Sequence, residues 1–531
     1  MNHVLPGRRG IWEVFERAWL SPLPPSPFGL RVCSGVDLVE GWVRRRGVER
    51  VMGYRGRMQL MAMVAATVVL AALRPRAVLG LSLQTGPTGR KGARATRRLR
   101  KRRSKETVVV RSPEELEVAE AEGFPAVVMG DAQQPLGLDH PTLEIIRRRK
   151  AEGSLPGQRR PDDKAKVALV IEGGGMRGCV TAGMATALLY HGFLDSFDDI
   201  YGASAGTMIG AYLMTDPPLD KGISLYTDLL TDKSMGFIDK RQIWRALGLG
   251  LLGLSVTGFR GLKDLFSEPI GTPPLNLDFL LVDALEKLRP LDFAKFQAKD
   301  SVQPLHLVAS GIDSLQAITL TSQNGNFFDL PSLRQCMRAS MLLPALCGPP
   351  VQPPNCSEPL VDAQLFGAIP FESAVGEGAT HVMTLRSRPD GVAVGTKQSV
   401  LETTMLRRFF KRKLGHPEVY DYMKHAGHRR LYADNILQLN AGNRGVELCV
   451  DGHGQVGTTD PTAVSRASGL SIAVPAGCQE IGRLEQRREA ILTGVHQGFA
   501  QVSLALEGTP APNREELEAS GAMQTVRNLL P

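Results

Sequence analysis

The feature that most constrains this chain is Gly202-Ala203-Ser204-Ala205-Gly206, set between a short strand-like segment, Asp199–Tyr201, and a helical one, Thr207–Met214. In a G-x-S-x-G sequence the small residues let the chain turn sharply from strand into helix, leaving the Ser204 hydroxyl exposed at the sheet edge. The helix start beneath it favours negative charge developing above. Upstream, Lys166–Ile171 is a continuous apolar run of the kind found in buried parallel strands. It leads directly into Glu172-Gly173-Gly174-Gly175-Met176-Arg177-Gly178, and a helix-like segment, Thr181–Tyr190, follows. Strand, glycine turn and helix in that order gather backbone N–H groups at a positive helix end, an arrangement suited to holding an anion.

By spacing the same loop satisfies G-x-G-x-x-G. That dinucleotide fingerprint calls for an acid at the end of the next strand to bind a ribose, and here the next strand ends in Gly202–Gly206 instead. The two glycine motifs fit a single mechanism better. The N–H of Ala205 and those of the loop (Gly173, Gly174, Gly175, Arg177, Gly178) would bind the oxyanion of a tetrahedral intermediate, worth about 3–4 kcal/mol per donor. For the Arg177 side chain two readings stand: it orients the loop or neutralises a bound anion, or it forms a structural ion pair.

With these residues the chain resembles the patatin-like phospholipase family, whose signatures are a G-G-G-x-R-G loop, a G-x-S-x-G elbow and a D-G-G or D-G-A carrying an aspartate. The first two stand complete as Gly173–Gly178 and Gly202–Gly206. The third is best matched by Val361-Asp362-Ala363, after Arg338–Pro344 and Pro349-Pro350-Val351, with Ala379–Arg386 as a following strand. The pattern looks closest to the bacterial-type single-domain branch. The resemblance implies a three-layer α/β/α domain with a mostly parallel central sheet, and a serine lipid acyl hydrolase working through a Ser204–Asp362 dyad. It implies a lipid substrate, transient membrane contact, and neither cofactor nor metal. One departure is Ala363, then Gln364, where the family has glycine directly after the aspartate. If that position requires φ > 0, alanine is unfavourable there by roughly 1–2 kcal/mol, and a lipid-binding protein without catalysis becomes an alternative.

A second alternative is an α/β-hydrolase Ser…Asp…His triad, whose partners come in that order. His381, His416, His425, His428, His453 and His496 all follow Asp362. His453 is the one in a short glycine-flanked loop after a strand run, Val450–Gly454. His381 lies within a strand run, and His191 ends the first helix, where capping suffices.

Charge and cysteine content narrow the rest. The chain of 531 residues carries a net charge of +9. Fifteen Arg or Lys and no acid fall between Arg50 and Lys105, so the remainder is mildly acidic and gives no argument for nucleic-acid binding. Seven scattered cysteines without a C-x-x-C pair suit buried thiols rather than a disulfide framework or a zinc site. Residues 1–105 read as a basic presequence or a disordered extension. Met58–Leu73 is apolar but short for a span of about 20 residues, and Thr85–Lys105 resembles an organelle transit region or a basic linker. An organellar address, a place peripheral to a membrane, or the cytoplasm remains open. Residues 106–137 read as a linker, 138–505 as the catalytic domain, and 506–531 as a loose tail. Two segments are candidates for lipid contact: Phe237–Leu262, rich in Leu and flanked by Arg, as lid or interfacial segment, and the basic-aromatic Met405–Lys413. Core packing and a solvated helix face are their respective alternatives.

Overall fold

The structure, a computed structural model, describes residues 107–122, 126–129, 140–215, 219–238, 273–395, 400–451 and 464–530. The basic segment 1–105, His453 and residues 239–262 of the proposed lipid-contact segment lie outside the described residues. Everything described falls in one compact unit, Ala77–Pro531.

The continuous apolar run becomes β3 (Val167–Ile171), all five of whose residues are buried. Val167, Leu169 and Ile171 join one hydrophobic core, while Ala168 and Val170 join another on the opposite face. Burial on both faces is why the sequence shows no polar alternation there. β3 lies between two parallel neighbours, β4 (Asp199–Ala203) and β8 (His381–Leu385). The sheet continues through β5 (Leu305–Gly311) to antiparallel β6 (Ala317–Leu320) on one side. On the other it runs through parallel β11 (Val464–Ile472) to antiparallel β10 (Leu448–Asp451). The strand order is β10-β11-β8-β3-β4-β5-β6, with the short β7 (Leu360–Val361) paired to β5. Chain direction thus reverses at β3: β4 to β6 extend one way, β8 and β11 the other. In such open sheets the crevice at the strand carboxyl ends beside that reversal is where ligands bind.

Helices cover both faces. The helices Gly178–Tyr190 (α1), Ala205–Leu213 (α2) and Arg488–Glu507 pack in the first core, and Gly427–Gly442 in the second. The result is a three-layer α/β/α domain with a mostly parallel central sheet. Among the described residues no helix is long and apolar enough to cross a membrane.

Two outer segments hold more structure than their composition suggests. Within 106–137, Thr107–Val110 (β1) and Ala126–Met129 (β2) pair in parallel, and β2 pairs with β9 (Ala393–Gly395) to make a separate three-stranded sheet. At the carboxyl end, Arg514–Ala519 and Gly521–Leu529 are helical, held by buried Leu517, Met523 and Val526. Met523 and Val526 are three apart and share one helix face, a pattern too short to stand out against the polar residues around it.

Candidate active site

Ser204 sits in the turn from β4 into α2. Its backbone adopts φ 48° and ψ −119°, a conformation costing a non-glycine residue roughly 1–3 kcal/mol and kept only where its surroundings enforce it. The flanking glycines are part of that enforcement. A Cβ on Gly206 would lie 2.2 Å from the carbonyl oxygen of Ile171, and one on Gly202 would lie 2.7 Å from the backbone of Gly206. Strand and helix meet this closely because neither position carries a side chain. Ser340, at the end of the helix Leu330–Met341 (α3), fixes the turn from the other side. Its hydroxyl accepts the Ser204 N–H at 2.8 Å and donates to the carbonyl of Val308 on β5.

Asp362 follows β7 directly, and its own N–H donates to Leu342 O at 3.0 Å while that of Ala363 donates to Ser340 O at 3.1 Å. The residue is buried, 2% exposed. Ser204 Oγ donates to Asp362 Oδ2 at 3.1 Å, and the Gln364 N–H donates to Oδ1 at 2.8 Å. Burial pushes the carboxyl up to about 6, outweighing the opposing pull of the Gln364 amide, the Ser204 hydroxyl and the Arg483 charge. Ala363 does not adopt a positive φ, so the departure from glycine at that position carries no backbone strain.

The glycine loop lies against the serine. A Cβ on Gly173 would stand 2.8 Å from Ser204 Cβ, and Gly174 and Gly175 take φ values of 151° and 61°. Its amides divide into two sets. Those of Met176, Arg177 and Gly178 are occupied, donating to Arg483 O, Gly174 O and Gly175 O respectively. Those of Gly173, Gly174 and Gly175 donate to no acceptor among the described residues, and the amide of Ala205, first in α2, has no intrahelical acceptor. The Arg177 side chain is buried and pairs with Glu480 at 3.1 Å, yet its Nε has no partner.

A cavity of about 590 Å³ opens over these groups. Its lining combines apolar side chains, among them Tyr226, Leu230, Phe237, Ile238, Leu277 and Met341, with the polar Arg177, Arg388, Arg483, His428 and Tyr432. Phe237 and Ile238, the described start of the segment proposed for lipid contact, thus face this cavity. In Met405–Lys413 the two phenylalanines are buried, Phe409 at 7% and Phe410 at 0%. Arg407, Lys411, Arg412 and Lys413 remain exposed, so that segment offers solvent its charges and not its aromatic rings.

Among the described residues no histidine hydrogen-bonds to Ser204 or Asp362. His428 lines the cavity, where burial and then Arg429 depress its pKa to about 3 and keep the ring neutral. His381 stands at the start of β8, away from the strand carboxyl ends, and His191 caps the end of α1 and meets Ser503 Oγ at 2.8 Å. Cys179, Cys336, Cys347 and Cys478 are buried free thiols. No sequence motif marks Ser340, whose role is visible only once α3 is placed beside β4, or Arg483, which lies beyond every motif.

Residues 169–375 match the family described as Patatin-like phospholipase. No curated protein sequence matches the chain. Among solved structures, human GIVD cytosolic phospholipase A2 bound to methyl gamma-linolenyl fluorophosphonate is 12% identical, with 76% of this chain and 65% of that one covered at a TM-score of 0.34. VipD from Legionella pneumophila is 16% identical, with 42% and 50% covered at 0.23. ExoU from Pseudomonas aeruginosa, in complex with SpcU, is 14% identical, with 33% and 38% covered at 0.19. The chain spans about half the length of VipD and less than two thirds of the other two.

Proposed function

We propose that this protein hydrolyses acyl esters of phospholipids or related lipids through a covalent acyl-enzyme, with Ser204 as nucleophile and Asp362 as its base. The observation carrying this reading is the 3.1 Å contact from Ser204 Oγ to a buried carboxylate, both of them lining a cavity whose other walls are largely apolar. A free aspartate is a poor base at neutral pH; one raised to about 6 is closer to the working range.

In the first half-reaction Asp362 takes the Ser204 proton as Oγ attacks the ester carbonyl. The N–H groups of Gly173, Gly174, Gly175 and Ala205 are the donors left open to receive the oxyanion, and Gly202 and Gly206 hold the elbow that presents Oγ. Collapse of the tetrahedral intermediate breaks the bond to the alcohol, which leaves with the proton from Asp362. Water then gives a proton to Asp362 and attacks the acyl-serine, and Oγ recovers its proton as the fatty acid departs. Arg177 and Gly178, whose amides are occupied, support the loop without donating from the backbone.

The alternative of a non-catalytic lipid binder rested on Ala363, and the unstrained backbone there removes its motive. A triad reading would need a histidine on the dyad, and His453 alone of those considered lies outside the described residues. Residues 1–105 we assign to delivery rather than chemistry, and lipid contact to the rim of the cavity. The test is hydrolysis of mixed phospholipids and neutral glycerolipids followed by lipid mass spectrometry. Free fatty acid released by the wild type, and by neither Ser204→Ala nor Asp362→Asn, supports the assignment; unchanged release by either variant overturns it.

A further inference from the structure

The hydroxyl of Tyr226 is buried and has no partner. The residue is 3% exposed, and no donor or acceptor among the described residues meets its phenol oxygen. Tyr201 and Tyr212 are buried to a similar degree, and both donate, to Glu377 Oε2 at 2.9 Å and to the Arg289 carbonyl at 2.5 Å. Leaving a buried hydroxyl unpaired is unfavourable, and native folds seldom do so without a use for it.

Where that oxygen stands suggests the use. The helix Leu219–Ser224 continues as a wider π turn over Leu225–Leu229, a departure from α geometry that recurs at functional sites. Leu225 and Leu229 are buried in the first core, and Asp228 pairs with Arg488 at 3.4 Å, so the turn is anchored around Tyr226. The ring joins the apolar lining of the cavity that holds Ser204, Ala205 and Asp362. The hydroxyl reaches the place where two helix starts meet. A Cβ on Gly178, first in α1, would stand 2.4 Å from the Tyr226 oxygen and 2.9 Å from Cβ of Ala205, first in α2. Gly178 has φ −52°, so glycine is needed there for space and not for backbone freedom, and the phenol takes that space. Two helix N-termini beside the hydroxyl favour negative charge developing in front of it. Burial pushes the phenol pKa well up, and the nearby Cys179 thiol acts the same way, so the group keeps its proton and can donate it in a hydrogen bond.

We infer that Tyr226 is a further catalytic residue, whose hydroxyl donates to the carbonyl oxygen of the scissile ester as that oxygen becomes the oxyanion. It adds a side-chain donor to the open amide of Ala205, the residue it lies beside. A donor already aimed into a dry site stabilises the developing charge without reorganising. Its effect is strongest in the transition state, so it acts on kcat more than on KM. The inference rests on the proposed hydrolysis through Ser204.

The test compares the full-length wild type with Tyr226→Phe, which keeps the ring and removes only the oxygen. On a soluble ester kcat should fall about a hundred-fold, with KM within about three-fold. A trifluoromethyl ketone with the same acyl chain gives a second readout. Ser204 Oγ adds to its carbonyl carbon, the C=O electron pair moves to oxygen, and the serine proton passes to Asp362. This tetrahedral oxyanion should be held more weakly in Tyr226→Phe by about the factor lost in kcat/KM, while an uncleavable ether of the same chain binds as before. The melting temperature should be unchanged or higher, because a buried unpaired hydroxyl has gone. Retention of kcat within about three-fold in Tyr226→Phe overturns the inference alone. So does a loss of kcat accompanied by a lower melting temperature and equally weakened ether binding, which is what a purely structural tyrosine would give. A wild type without Ser204-dependent turnover overturns the hydrolase reading and this inference together.

Discussion

The hydroxyl of Ser340 accepts the backbone N–H of Ser204 at 2.8 Å, so the nucleophile's strained turn is tied to the end of α3 and, through Val308, to β5. The same Ser340 carbonyl accepts the Ala363 N–H, which places one residue between the elbow and the loop bearing Asp362. Removing its hydroxyl leaves the Ser204 amide buried without an acceptor, costing about 1–3 kcal/mol. Ser340→Ala is therefore expected to stay folded with a lower melting temperature. It should lose roughly ten- to hundred-fold in kcat, since small misplacements of a nucleophile are costly. Assay of a soluble ester beside a thermal melt checks both, and an unchanged kcat would remove Ser340 from the positioning of Ser204.

The raised pKa of Asp362 makes a pH prediction with a definite sign. As a base it must be ionised, so kcat on a soluble ester should fall below about pH 6, following the carboxyl rather than an imidazole. Stability should move the opposite way. The folded pKa lies above the unfolded one, so the folded state holds the extra proton between about pH 4 and 6, and this residue's contribution declines as pH rises through that window. At pH 8 Asp362→Asn, inactive, should be more stable than the wild type by up to the order of 3 kcal/mol. A less stable Asp362→Asn would contradict the buried, ionised carboxylate.

Histidine replacement should separate chemistry from architecture. His428→Gln, despite its place in the cavity wall, is expected to retain kcat on a soluble ester within about ten-fold, because its ring is neutral and touches neither dyad member. His306 is different. It is buried on β5 between Glu377, 2.9 Å away, and Asp199, 3.5 Å away, and stacks on Tyr201. Burial opposes its charge, but the two carboxylates outweigh that and raise its pKa. Its stabilising effect is complete below the unfolded pKa and is lost as pH rises through the higher folded one. His306→Gln removes the cation shared by buried Asp199 and partly exposed Glu377, which keep Lys166 and Tyr201 as partners, and should cost about 1–3 kcal/mol. Urea unfolding, not turnover, should report that loss; loss of turnover in a fully folded single-histidine variant would instead argue for a triad.

Much of the layout was legible because the motifs coincide with points where backbones must meet. Gly202 and Gly206 are required by contacts with their own neighbours, and the even burial of Val167–Ile171 is written as an unbroken apolar run. Asp362 was reachable through resemblance, not through local pattern, since β7 has two residues and no periodicity. What stayed hidden depends on long-range geometry. Nothing near Arg483 announces that it lies over the glycine loop, and Ser340 looks like any small residue in a helix until Val308 and Ser204 are beside it. Within 106–137, β1 and β2 are four residues each and gain their meaning from pairing with each other and with β9, far along the chain.

The central claim, that Ser204 forms the acyl-enzyme with Asp362 as its base, is tested most directly by covalent labelling with a fluorophosphonate and peptide mass spectrometry. The wild type should carry a single adduct on the peptide containing Ser204. Ser204→Ala should carry none, and Asp362→Asn should be labelled at least about a hundred-fold more slowly. An adduct on another residue, or an enzyme that cleaves esters while Ser204 stays unmodified, would contradict the account.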